Sequence, residues 1–187
     1  GGFFLRQNLF KYHAACYMTH AAANAISEAM QSNAIAPDAV ESVVITADRS
    51  LDGVCNIQNP DTGLGMKFSL RTVGALSMLG RDTSRLASFT DEAAADTALS
   101  AAREKIEVRL SDIRPITRTE VVMQLKDGRP ITAKHDSGKP DADLARQRDR
   151  LHRKFTALAG EVLGSDRAQQ LLGMIDGLEK QPTVSAP

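Results

Sequence analysis

The chain has no tryptophan and only two tyrosines among 187 residues. Lysine and arginine total 23, and so do aspartate and glutamate, giving zero formal net charge with no basic block. A nucleic-acid surface needs a cationic stripe and aromatic platforms, so that class of partner is excluded. No apolar run approaches the roughly 20 residues a membrane helix requires, and the N-terminus lacks the charged-then-apolar layout of a signal peptide. Only two cysteines occur, Cys16 and Cys55, too few for a disulfide framework in a chain of this size. Both read as reduced, in a cytoplasmic protein. Neither is read as part of a zinc pattern, since no second Cys or His stands at ligand spacing around Cys55, and no metal site is expected.

What remains is an ordinary globular composition, with 42% hydrophobic and 25% charged residues. Patterning predicts a helix over residues 17–33, then a turn opened by Pro37-Asp38. Ser42 to Ala47 is β-branched and alternating, which predicts a strand. Residues 50–65 are rich in Gly, Pro, Asn and Asp and read as a long loop. A helix over Lys67–Leu79 stops at Gly80, and Thr90-Asp91-Glu92 caps another over 91–104. Three more strands follow: Ile106–Leu110, Thr119–Leu125 and Ile131–His135. The last two are joined by an Asp127-Gly128 hairpin turn, and Pro130 puts the last at an edge. The expected class is α+β, an antiparallel sheet of about four strands with helices on one face. Residues 143–160 and 165–179 are two amphipathic helices joined at Leu163-Gly164, and QPTVSAP is a frayed tail. The expected domains are thus 1–140, a helical segment 141–180, and a disordered 181–187.

Chemistry concentrates in Lys11 to Ile26, KYHAACYMTHAAANAI, where a lysine, two histidines and a cysteine precede an alanine-rich helix. Titratable groups at the mouth of a thin helix suit a small anion. A second segment, Asn59 to Leu79, holds Pro60-Asp61-Thr62 and then Met66-Lys67-Phe68-Ser69-Leu70-Arg71-Thr72. With Asp127-Gly128-Arg129, Gly138, Pro140 and Lys154-Phe155 following in order, the chain resembles the MmgE/PrpD family, the 2-methylcitrate dehydratase-like proteins.

That resemblance implies a two-domain protein, an all-helical domain with an inserted α+β lid, of which this chain is the C-terminal, lid-containing portion. The missing N-terminal helical domain would then be a partner, and Gly1-Gly2 a cloning remnant. The implied activities are dehydration of 2-methylcitrate, epimerisation of iminodisuccinate and decarboxylation of cis-aconitate. All act on small polycarboxylates, with no cofactor, at a cleft between domains in a homodimer. A lyase of the dehydratase type is the first expectation, inactive as this portion alone; a non-catalytic anion-binding or dimerisation module is the alternative. Lys11 and His20 are the implied catalytic residues. His13, Cys16, Lys67, Ser69, Arg71 and Thr72 are the implied substrate-binding ones. Thr72 departs from the tyrosine of several members, which argues against cis-aconitate decarboxylation. Lys154 and Phe155 are read as packing.

Overall fold

In a computed structural model, residues 7–180 are described. The chain divides at Pro140/Asp141 into two compact units. In the first, helix α1 (His20–Ser32) is followed by strand β1 (Val40–Asp48), helices α2 (Asp52–Cys55), α3 (Gly63–Met66), α4 (Leu70–Met78), α5 (Asp91–Ala94) and α6 (Thr97–Glu104), and strands β2 (Ile106–Ser111), β3 (Arg118–Leu125) and β4 (Pro130–Asp136). The four strands form one sheet in the order β2-β1-β3-β4. The α+β class and the four strands agree with the sequence, and β4 is an edge.

One pairing differs from the expectation. β1 and β2 run parallel, with Val43 opposite Ile106, while β1–β3 and β3–β4 are antiparallel. The sheet is therefore mixed. A parallel pair needs a long crossover, and here α2 to α6 supply it.

Alternation sorts the strands into two faces. Val43, Ile45, Ala47, Ile106, Val121, Met123 and Leu125 are buried on one face. Helix α1 lies over β3 and β4, and α4 packs on α1, α6 and β2. Alanine makes this close approach possible: Ala21, Ala22, Ala23 and Ala25 of α1 are each at most 2% exposed.

The segment read as one long loop, 50–65, contains α2 and α3. Short polar side chains build them. Asp48 accepts from Ser50 N at 2.9 Å and starts a 3-10 turn over Arg49–Leu51; Thr62 caps α3 by accepting from Gly65 N at 3.1 Å. The single helix expected over 91–104 is two. Asp96 stands in extended backbone, ends the first and caps α6 by accepting from Leu99 N at 2.9 Å. Aspartate favours this position because its carboxylate competes for backbone N–H groups. α4 ends at Met78 with Leu79 as its C-cap, and Gly80 takes the positive φ of +67° that glycine tolerates.

The second unit is a pair of helices, α7 (Leu144–Leu163) and α8 (Ser165–Asp176), hinged at Gly164 with φ +79°. Asp143 caps α7 through Arg146 N at 3.0 Å. Near the other ends of the hairpin, Asp176 accepts from Arg148 Nη2 at 2.7 Å and faces His152 Nε2 at 3.0 Å. These contacts hold the carboxyl of Asp176 below the usual range, with the Arg148 hydrogen bond the largest cause. Phe155 is half-buried on α7. The segment read as a frayed tail, 181–187, and the Gly1-Gly2 pair lie outside the described residues.

Candidate functional site

Among the described residues, two backbone hydrogen bonds anchor the segment ahead of α1 to the rest of the first unit. Ala14 N donates to Thr83 O at 2.7 Å, and Cys16 N donates to Lys67 O at 2.9 Å. The second bond joins the two segments singled out in the sequence. A 3-10 turn over Tyr17–Thr19 then leads into α1, with Thr19 Oγ1 donating to Cys16 O at 2.7 Å.

Lys11 is exposed on this segment, while His13 and His20 are 8% and 1% exposed. The two imidazoles meet edge to face, with centroids 4.7 Å apart, and Tyr17 lies against His20 at 4.9 Å. Tyr17 donates its hydroxyl to Ser137 O. Burial, then the neighbouring Tyr12 and Asp136, push its phenol above the ordinary tyrosine value.

Both ring nitrogens of His13 are engaged: Nδ1 with Thr83 Oγ1 at 2.6 Å and Nε2 with Asn24 Oδ1 at 3.1 Å. Asn24 continues the chain, its Nδ2 lying 3.0 Å from His135 Nε2, and His135 Nδ1 lies 3.4 Å from Glu28 Oε1. The sequence reading missed Asn24, Glu28, Thr83 and His135. One signal for the first two was present: His20, Asn24 and Glu28 recur every four residues on an alanine-rich helix, which puts them on one face. Nothing local marks His135, which meets Asn24 across 111 residues of chain.

The second segment is arranged around the start of α4. Ser69 is buried and caps the helix, its Oγ accepting from Thr72 N at 3.1 Å. Lys67 is half-buried in the turn before it, and Phe68 is 37% exposed. Arg71 is half-buried and donates from Nη1 to Asn56 Oδ1 at 2.9 Å. Thr72 is fully buried, and its hydroxyl has no hydrogen-bond partner among the described residues. The structure thus joins the backbones of Cys16 and Lys67. Lys11 and Lys67 keep access to solvent, whereas Ser69 and Thr72 do not.

Cys16 and Cys55 are both free thiols. Burial, with a smaller push from Cys16, raises the Cys55 thiol to about 12. The thiolate is the nucleophile, so at pH 8 only about one Cys55 in ten thousand would be reactive even if reached. We expect iodoacetamide to leave Cys55 unmodified in the native chain and to modify it in urea, as peptide mass spectrometry would show. Labelling of native Cys55 at the denatured rate would mean that this segment opens readily.

Among the described residues no helix is long and apolar enough to cross a membrane. A comparison with curated proteins finds no match. A family model described as the MmgE/PrpD C-terminal domain matches residues 13–180. That span begins two residues after Lys11 and takes in the rest of both segments, the sheet and the helical pair, and the chain belongs to the MmgE/PrpD family.

Proposed function

We propose that this chain forms one wall of a polycarboxylate site in a lyase of the 2-methylcitrate dehydratase type. A helical domain preceding it would supply the opposite wall, in a cytoplasmic homodimer. The observation that carries this reading is the bond from Cys16 N to Lys67 O. It ties the segment that carries Lys11 and His20 to the segment that carries Lys67 and Arg71, and in this reading their cations serve one substrate surface. Dehydration of a hydroxy acid moves a proton from carbon and builds negative charge on the adjoining carboxylate, and fixed cations lower that barrier. In this role Lys11 and Lys67 hold carboxylates, Arg71 is steadied by Asn56, and His20 serves as the proton-transfer group. Cys16 and His13 complete the lining. Ser69 acts by fixing the start of α4, and Thr72 by packing beneath it.

An isomerase or decarboxylase of the same family would use the same wall. The burial of His20 favours a second reading, in which the unit binds a small anion or a second copy without chemistry.

A binding titration separates these. Citrate, 2-methylcitrate and cis-aconitate would be added to the chain and amide NMR shifts followed in wild type and Lys11→Ala. The lyase reading expects shifts at Lys11, His20 and residues 67–72, with affinity roughly tenfold weaker in the variant, the effect of losing about 1.4 kcal/mol of charge pairing. Shifts confined to Lys67 and Arg71, indifferent to Lys11, would favour the anion-binding module. A folded chain that shows no shift with any of the three acids would sink the half-site.

A further inference from the structure

The hydrogen-bonded chain Thr83–His13–Asn24–His135–Glu28 has a direction. An amide oxygen can only accept and an amide NH2 can only donate. Since Asn24 Oδ1 faces His13 Nε2, that nitrogen carries a proton; since Asn24 Nδ2 faces His135 Nε2, that one offers its lone pair. His135 therefore keeps its proton on Nδ1, towards Glu28, and Thr83 donates its hydroxyl to His13 Nδ1. We propose that Asn24 is a positioning residue which couples the protonation of His135 to the choice of which ring nitrogen of His13 carries the proton.

The argument follows the donors. His135 is 24% exposed and its partner Glu28 57% exposed, so a proton from solvent can reach the outer end of the chain. Once His135 is doubly protonated, its Nε2 donates and meets the donating side of the Asn24 amide. Turning the amide over restores that bond, with Oδ1 now accepting from His135. The NH2 then faces His13 Nε2, which has to become an acceptor. His13 satisfies this by moving its proton to Nδ1, towards Thr83 Oγ1, since a hydroxyl serves as donor or acceptor. Low exposure of His13, Asn24 and Thr83 (8%, 7% and 7%) leaves water little room to absorb the mismatch. A charge change at the sheet edge thus reaches a buried ring that touches His20.

His135 faces Glu28 and Asn24 from α1, and Thr119 opposite it on β3 is neutral. Arg118, Glu120 and Lys134 alternate out to the other face, where Glu120 pairs with both cations. Asp136, next along β4, accepts from Thr117 Oγ1 and Gly138 N. His13 faces Thr83, Asn24 and the ring of His20. The coupling needs no ligand and stands apart from the proposed substrate.

Long-range proton–nitrogen NMR of the full chain tests it, because a protonated ring nitrogen and a lone-pair nitrogen have different shifts. Between pH 8.5 and 5 the wild type is expected to show His13 as the Nε2–H form first and the Nδ1–H form later. The change should share its midpoint with the titration of His135. In Asn24→Leu, His13 should no longer follow His135. In His135→Phe, a substitution at an edge-strand position, His13 should hold one form throughout. A His13 that keeps one tautomer while wild-type His135 titrates, or that becomes doubly protonated at that midpoint, overturns the coupling. So does a His13 response that persists in His135→Phe. Should Asn24→Leu fail to fold, the wild-type and His135→Phe spectra decide.

Discussion

Gly63→Ala is expected to lower the stability of the first unit by about 3 kcal/mol or more, at the upper end of what overpacking costs. A Cβ at this position would stand 2.2 Å from Phe89 O, 2.7 Å from Phe89 C and 2.8 Å from the Cα of Thr90. All three are backbone atoms, so no side-chain rotation relieves the clash. The neighbouring chain cannot simply back away. Thr90 caps α5 by accepting from Ala93 N at 3.1 Å, and Asp91 accepts from Gly63 N itself at 2.7 Å. The glycine is thus where α3 and α5 are locked together, and α3 feeds directly into Lys67. Displacing α3 would pull on Lys67 O and hence on Cys16 N. Urea unfolding reads the stability, and amide exchange at Cys16 reads the transmitted strain. A loss under about 1 kcal/mol, within the range of ordinary surface changes, would show that the α3–α5 joint is soft. Normal protection at Cys16 in a destabilised variant would confine the damage to the joint.

Legibility in the sequence followed the range of the interactions. Elements set by local periodicity or local turn chemistry could be read directly: the β-branched run around Val43–Ile45, the Asp127-Gly128 hairpin with its positive φ at Gly128, and the Gly80 stop. The parallel pairing of β1 with β2 could not, because both strands alternate in the same way whichever direction their partner runs. Side-chain capping was the second blind spot. Asp48, Thr62 and Asp96 each convert a stretch of loop or helix into something else, and each does so with a single hydrogen bond to a backbone N–H two or three residues ahead. Within the candidate site, the lysines and histidines were visible as a cluster. The burial of His13 and His20 was not, since it depends on Thr83, β4 and Ser137 closing over residues 13–20 from distant parts of the chain. Thr72 shows the same limit. Its hydroxyl suggested a ligand contact, yet the helix start it occupies faces the core.

The geometry that sets α1 against α4 can be tested at Gly74, where Gly74→Val is expected to cost about 2–3 kcal/mol. A Cβ there would lie 3.1 Å from Ile26 Cδ1, 3.1 Å from Ile45 Cδ1 and 3.2 Å from Ile106 Cδ1. Three isoleucine tips, one from α1 and one each from β1 and β2, therefore converge on the bare backbone of α4. Glycine inside a helix normally costs about 1 kcal/mol against alanine, so its presence here is offset by the close approach it permits. These contacts are side-chain ends, unlike those at Gly63, and removing one terminal methyl opens the needed space. Ile45→Val deletes that methyl and by itself should cost about 0.5–1.5 kcal/mol. Combined with Gly74→Val it should cost less than the sum, by an interaction of about 1 kcal/mol or more, because the two changes share one volume. Strict additivity in urea unfolding would mean that α4 moves off the sheet as a body. In that event the start of α4, with Ser69 and Arg71, would shift relative to His20, and any anion affinity measured for the unit should fall in Gly74→Val and stay low in the double variant. Recovery of both stability and affinity in the double variant would instead tie the positions of the two helix starts to this single contact between α4, α1 and the sheet.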